Sequence, residues 1–363
     1  MKFLIIDTYY PAFLRACYAR HPGLSSLPYA DQWRVLMEQV FGTADFYSSH
    51  LRSLGHEAHE VIANCDSLQR QWTREYAWRL WMACPLYGRL GKMKSWQMAV
   101  LKAQVERLQP DIVYVQDLNL TDEECLRAIR KKGRLVVGQT AYALREDLDY
   151  GAYDLILTSF PHYVEQYRKQ GIKSEYLRLA FEPRVLNMLG PVQVRPQVAF
   201  VGAYTDRHSN GNRLLEHVAG QVPVDFWGYG TDGLPVDSVI RKSYHGEAWG
   251  LQMYRILAES AISLNRHIDI SGRFANNMRL FEATGVGTLL VTDWKENLCE
   301  MFEVGKEVVA YRTPQECAEL IPYYLEHDGE RRAVALAGQE RTLRDHTYQQ
   351  RMKELADIVR KHV

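Results

Sequence analysis

The chain lacks the charge bias, the cysteine density and the long apolar runs that would each assign it to a special class. Lys+Arg and Asp+Glu both number 44, so no net field draws it to nucleic acid or to an anionic bilayer, and any anion site must be built locally. A nucleic-acid partner is not expected. Six cysteines, Cys17, Cys65, Cys84, Cys125, Cys299 and Cys317, are scattered without a CxxC pair. That spacing excludes a disulfide scaffold, suits a reducing cytoplasm and points to buried free thiols. The opening run Met1-Lys-Phe-Leu-Ile-Ile-Asp7 is too short for a secretory or spanning segment and reads as a first buried strand. No other stretch has the apolar length to cross a bilayer, so the expectation is a cytoplasmic protein without a membrane span, with peripheral association left open. Also missing are a GxxxxGK[ST] loop, a GxGxxG after the first strand, HExxH and GxSxG. Kinase, dinucleotide oxidoreductase, zinc-protease and serine-hydrolase chemistry lose their best support.

What is present is the composition of a globular enzyme, 47% hydrophobic and 24% charged over 363 residues, too long for one ordinary core. Short β-branched runs alternate with helical patterns, the signature of βαβ units in parallel sheets. It occurs twice. The first series of expected strands is Phe3–Ile6, Ala58–Ile62, Ile112–Val115, Leu135–Val137, Leu155–Thr158 and Glu175–Leu177. The second is Val198–Val201, Val224–Phe226, Ala261–Leu264, Thr288–Val291 and Val308–Ala310. Between them, Gly190-Pro-Val-Gln-Val-Arg-Pro196 suits a connection. The division is therefore an N-terminal domain over 1–182, a linker over 183–197, a C-terminal domain over 198–346 and a closing helix over 347–363. Long helical stretches are expected at Gln32–Leu54 and Leu68–Leu86. In the latter, Trp72, Tyr76, Trp78 and Trp81 read as packing core in preference to a sugar-stacking platform.

A helix over Asn277–Thr284 falls between two expected strands, so its N-terminus faces the carboxyl edge of the sheet, where wound sheets bind ligands. Exposed backbone N–H groups there favour phosphate, and Arg273 and Arg279 add charge-assisted donors. Glu282 lies three residues after Arg279, on the same helix face. A carboxylate in that place can accept both hydroxyls of a ribose; a surface Arg–Glu pair is the commoner meaning of the spacing. Ala283, Thr284, Gly285 and Gly287 let the helix end pack closely on the next strand.

The run Arg279-Leu-Phe-Glu282-Ala-Thr-Gly285-Val-Gly287-Thr-Leu-Leu-Val-Thr292 resembles the C-terminal signature of GT-B glycosyltransferases, most closely the CgeB-like branch related to group 1 enzymes. Phe200-Val-Gly202, Trp227-Gly-Tyr-Gly230, Tyr244-His245-Gly246 and His346-Thr-Tyr348 with Arg351 resemble further pieces in the family's order. The resemblance implies two Rossmann-like wound-sheet domains facing a cleft. It implies a glycosyltransferase that uses a nucleotide diphosphate sugar as donor substrate, in glycan biosynthesis, with no cofactor and no metal. Glu282 would bind the ribose, His245 and Gly246 would lie against the nucleobase, and the Gly202 turn with Arg279 would approach the diphosphate. The sequence departs from the family at Ala203, where a cation is usual; Arg207 is the nearest replacement. Asp147-Leu-Asp149 and His267-Ile-Asp269 are the available acidic patterns, the first far from the donor half and the second lacking another acid, so metal-dependent transfer is disfavoured.

Acceptor-side candidates sit after strands: Asp7, Gln116 with Asp117, and Gln139. The family tilts the outcome toward retention, with Asp7, Asp117 and Gln139 orienting the acceptor; an inverted product would make Asp7 or Asp117 the general base. Tyr9-Tyr-Pro-Ala-Phe13 reads as core before acceptor wall. The acceptor, whether glycan, lipid-linked, protein or small molecule, is not written in the sequence. Two other readings stand beside transfer: a non-catalytic nucleotide-sugar-binding protein, and a nucleotide-sugar epimerase.

Overall fold

Eleven apolar runs become parallel strands. In the computed structural model, which describes residues 1–120, 123–141, 144 and 150–363, the Asp147-Leu-Asp149 pattern lies outside the described residues. The first sheet contains β1 (Lys2–Asp7), β2 (Glu57–Ile62), β3 (Ile112–Val115), β4 (Leu135–Thr140), β5 (Leu155–Thr158) and β6 (Ser174–Tyr176), ordered β2-β1-β3-β4-β5-β6. The second contains β7 (Arg195–Ala203), β8 (Asp225–Tyr229), β9 (Ser260–Leu264), β10 (Leu289–Asp293) and β11 (Val309–Tyr311), ordered β11-β10-β9-β7-β8. Every residue of β3, β5 and β9 is buried, as continuous apolar strands covered by helices on both faces must be. In each sheet the first strand has its successor on one side and a later strand on the other. The order therefore reverses between β1 and β3, and between β7 and β9, the places where a wound sheet opens a crevice at its carboxyl edge.

The chain divides into two compact units, one of Met1–Arg178 with Met352–Val363 and one of Leu179–Arg351. The stretch read as a linker holds a helix, Arg184–Leu189, and the first residues of β7. Both belong to the second unit. Its core joins Val198 and Phe200 of β7, Phe226 of β8, Ile262 of β9 and Val291 of β10.

The long helical patterns are broken. Gln32–Leu54 becomes helices Tyr29–Glu38 and Phe46–Ser53, separated where Val40 and Ala44 take positive φ. Leu68–Leu86 divides into Asp66–Tyr76 and Trp78–Arg89. Of its four aromatics only Trp72 is core; Tyr76, Trp78 and Trp81 are exposed. Tyr9 and Phe13 are buried, as a core reading requires, and Phe13 stacks on Phe41 at 4.0 Å. All six cysteines are free, but Cys299 is exposed and not buried.

At Gly228 the backbone stands at φ +126°, and a Cβ there would lie 1.7 Å from the Gly202 carbonyl oxygen, across the β7–β8 ladder. Gly228→Ala is predicted to cost about 2–4 kcal/mol through strain and displaced backbone. Gly233→Ala, in open space, is predicted to change stability by no more than about 0.5 kcal/mol. Urea unfolding of both variants measures the contrast.

Candidate active site

The helix carrying the family-like run is Arg279–Gly285, seven residues long. Asn277 fixes its entry: Nδ2 donates to Asn265 Oδ1 at 2.9 Å, and Oδ1 accepts the Leu280 N–H at 3.2 Å. So short a helix, with an N–H already taken by a side chain, offers little as an anion site, and the expectation of a phosphate at its N-terminus is revised.

The side chains matter more. Arg279 Nη1 stands 2.9 Å from Glu282 Oε2, with the two side chains 13% and 7% exposed, so this is no solvated surface pair. Arg279 Nη2 donates to the Val201 carbonyl at 3.1 Å, which ties the helix to the end of β7. Tyr254 Oη donates to Glu282 Oε1 at 3.5 Å. Burial pushes the Glu282 carboxyl up, while Arg279 and Tyr254 pull it back down. Arg279 Nε and Nη1 have no aligned hydrogen-bond acceptor; the close Nη1–Glu282 approach is an ion pair outside hydrogen-bonding geometry. Buried donors without acceptors are costly to keep, which makes them candidates for a ligand's oxygens.

Where Ala203 replaces the expected cation, the fold supplies one from another strand. Arg266, two residues past the end of β9, donates from Nη2 to the Ala203 carbonyl at 2.8 Å and to Asn212 Oδ1 at 3.0 Å. It is 6% exposed, and its Nε has no partner. Gly211 makes room for it, since a Cβ there would fall 2.1 Å from Arg266 Cδ. Gly211 lies in the first turn of helix Ser209–Ala219, whose Asn210 N–H donates to Asp269 Oδ2 at 3.3 Å. A carboxylate already occupies part of that N-terminus, the place where an anion is favoured. Burial, followed by the Arg266 charge, lowers the His208 pKa to about 4. Neither Arg266 nor Gly211 stands out in the sequence. Arg266 can be found there only as a cation just after a strand, and its glycine lies 55 residues earlier with no pattern joining them.

Asp293 ends β10, and His267 follows β9 by three residues: Asp293 Oδ1 is 2.6 Å from His267 Nδ1 and accepts the His267 backbone N–H at 3.0 Å. Burial opposes the charge on Asp293, yet His267 and Lys295 hold the carboxyl at about 2. Among the described residues no group of three His, Cys, Asp or Glu side chains is placed to hold a metal ion.

Of the other expected donor-side residues, Gly202 lies between the Val201 and Ala203 carbonyls that Arg279 and Arg266 hold, while Arg273, His245 and Gly246 are engaged by other partners. Arg273 is 74% exposed and pairs with Glu296 at 3.1 Å. Arg207 is exposed in the turn Asp206–His208. His245 stacks on Trp227 at 4.8 Å and pairs with Asp225 at the beginning of β8, away from the strand's carboxyl end. Gly246 supports β8 by accepting the Gly228 N–H at 3.0 Å. Gly202 is in β7 and pairs with Gly228.

In the first unit the strand-end residues converge at the β1–β3 reversal. Thr43 Oγ1 lies 3.0 Å from Gln116 Oε1 and 3.4 Å from Asp7 Oδ2, and Thr8 Oγ1 donates to Asp117 Oδ2 at 2.9 Å. Gln139 Oε1 accepts from Tyr114 Oη at 2.7 Å and Tyr47 Oη at 3.2 Å. Gln116 Nε2 is buried without a partner. Although part of its surface reaches solvent, Asp7 is surrounded by protein, and burial, helped by the Asp117 charge, raises its pKa to about 7 against bonds from Thr8 and Thr43 that lower it. Such a group is poised for proton exchange near neutrality.

The raised folded-state value means the native protein binds the Asp7 proton more tightly than the unfolded chain, so this residue's contribution to stability falls as pH rises from about 4 to about 7. Asp7→Asn is predicted to flatten the stability profile over that interval and to be relatively stabilised at pH 8, as read by thermal unfolding across pH.

Residues 207–357 match the family model described as Glycosyl transferase-like, a span that contains Arg266, Arg279 and Glu282. A search of curated protein sequences finds no match. Among solved structures, sucrose-phosphate synthase from Thermosynechococcus elongatus superposes with a TM-score of 0.58 at 10% identity, over 99% of this chain and 98% of that one. Anabaena HepE in complex with UDP-glucose gives 0.58 at 11% identity, over 99% and 100%. AviGT4, a glycosyltransferase involved in avilamycin A biosynthesis, gives 0.60 at 13%, over 99% and 97%. At these identities the likeness is one of fold. The match over residues 207–357 makes that stretch similar to the glycosyl transferase-like family, and the fold shared along nearly the whole chain is the two-domain GT-B architecture.

Proposed function

We propose that the protein transfers a sugar from a nucleotide diphosphate sugar to an acceptor bound by the first unit, without a metal and with retention at the anomeric carbon. The observation that carries this reading lies at the carboxyl edge of the second sheet: Glu282 paired with Arg279, which holds the Val201 carbonyl, and Arg266 held on the Ala203 carbonyl of the same strand, each guanidinium keeping buried donors without acceptors. Glu282 accepts the ribose hydroxyls. Arg266 and Arg279 take the diphosphate oxygens. As the glycosidic bond breaks, negative charge grows on the leaving phosphate, and fixed cations in a water-poor site stabilise it in the place of a metal ion. The departing phosphate then takes the acceptor proton, which is the retaining route. Asp7, Asp117 and Gln139 orient the acceptor. The HepE structures in complex with UDP-glucose and with UDP support a nucleotide-sugar donor for this fold.

With EDTA present, at least one of UDP, GDP, ADP, CDP and dTDP is predicted to raise the melting temperature; no response from any of them removes the donor site. Glu282→Ala and Arg266→Met are each predicted to weaken that nucleotide by roughly 10- to 100-fold, the worth of a hydrogen bond to a charged group. Arg279→Ala strands a buried carboxylate and is predicted to cost about 3–5 kcal/mol of stability in urea. Incubation with a donor alone distinguishes transfer from epimerisation, since an epimerase alters the sugar with no acceptor.

A further inference from the structure

Helix Trp78–Arg89 has two apolar faces, and only one is used. Its inner face, Leu80, Cys84 and Tyr87, packs on Trp72, Trp96 and Val100 in a small satellite core of the first unit. Successive helix residues turn by about 100°. By that rotation Trp78, Trp81, Met82, Pro85 and Leu86 form one continuous outer stripe. Trp78 is 63% exposed, Trp81 42%, Met82 61% and Leu86 58%. Leu90, just past the helix, extends it at 59%. No comparable run of large exposed apolar side chains occurs elsewhere among the described residues; the others are scattered along the chain.

Along the chain the charge around this stripe has one sign, and of the neighbouring acids Asp66, which acts on Cys84 together with Arg70, accepts from Gln97. From residue 76 to residue 105 there is no Asp or Glu, while Arg79, Arg89, Lys92, Lys94 and Lys102 are cationic. Lys102 is engaged with Glu124, and Lys94 reaches the Asn119 carbonyl. Arg79 stands over the Trp78 ring, 5.8 Å from its centre. The preceding acid, Glu75, accepts the Tyr29 N–H on the neighbouring helix. A protein with balanced total charge has thus placed a local cationic field around its most apolar exposed helix face.

We propose that this face docks on an anionic lipid bilayer, the helix lying in the plane of the headgroups. Trp and Leu on one side, flanked by Arg and Lys, is the chemistry that such an interface accepts, and indole rings prefer the headgroup level. The helix has 12 residues, about 18 Å, and no helix among the described residues is long and apolar enough to cross a membrane. It lies on the surface. The balanced total charge makes the attraction local, so it is lost when salt screens those few cations. This inference does not depend on the donor reading.

The test uses the full chain and sedimentation with vesicles of phosphatidylcholine containing about 30 mol% phosphatidylglycerol, an anionic surface that attracts basic residues. Expected are co-sedimentation with these vesicles, little with phosphatidylcholine alone, loss at about 0.5 M NaCl, where screening is nearly complete, and a blue shift of tryptophan fluorescence. The combined variant Trp78→Gln, Trp81→Gln, Met82→Gln and Leu86→Gln should bind at least about tenfold more weakly. It should keep the wild-type circular dichroism and nucleotide response. A second variant, Arg79→Glu with Arg89→Glu and Lys92→Glu, should lose the preference for anionic vesicles. The proposal is overturned if the wild type ignores both vesicles, if the glutamine variant binds as the wild type does, or if sedimentation velocity shows lipid-free wild type dimerising through this face and the variant monomeric.

Discussion

Two guanidinium groups bonded to the last carbonyls of β7 organise the second unit's proposed site. Arg279 reaches Val201 from a helix and Arg266 reaches Ala203 from the end of β9, at 3.1 and 2.8 Å. Burying an arginine is expensive unless carbonyls and carboxylates receive its protons. Here those acceptors satisfy some of the donors and leave Nε of each side chain without one. What remains is positive charge held rigidly at the sheet reversal. Glycines make this possible: Gly211 yields space to Arg266, and Gly228 lets β8 lie against Gly202.

The first unit carries a complementary kind of chemistry at the corresponding place in its sheet. Its strand ends bring carboxylates, amides and hydroxyls together, with no buried cation among the groups described, and Asp7 is drawn up to about 7 by burial and by Asp117. In the proposed function one sheet edge takes the anionic part of a donor, and the other takes the hydroxyls of an acceptor and a proton in transit. That division of labour follows from which residues sit at the reversals, since the two sheets are wound alike.

The parallel strands were legible because burial on both faces demands uninterrupted β-branched runs, and all eleven lie where those runs lie. Glu282 and Arg279 were legible because helix spacing fixes their proximity. Arg266 was not, since its role depends on Ala203, Asn212 and Gly211 arriving from other elements. Likewise Arg273 looked favourable beside the signature helix, yet it is spent on Glu296. The aromatics at 76, 78 and 81 misled for a related reason. Apolar spacing marks a helix face without saying whether another element covers it, and here Trp78–Arg89 uses its other face for the core.

The central claim is that Glu282 reads the ribose of a nucleotide whose phosphates rest on Arg266 and Arg279. Calorimetry with the nucleoside diphosphate that binds and with its 2′,3′-dideoxy analogue, for the wild type and Glu282→Ala, tests it directly. The account predicts that the wild type loses affinity for the analogue while the variant holds both ligands equally. A variant that still discriminates between them would contradict it.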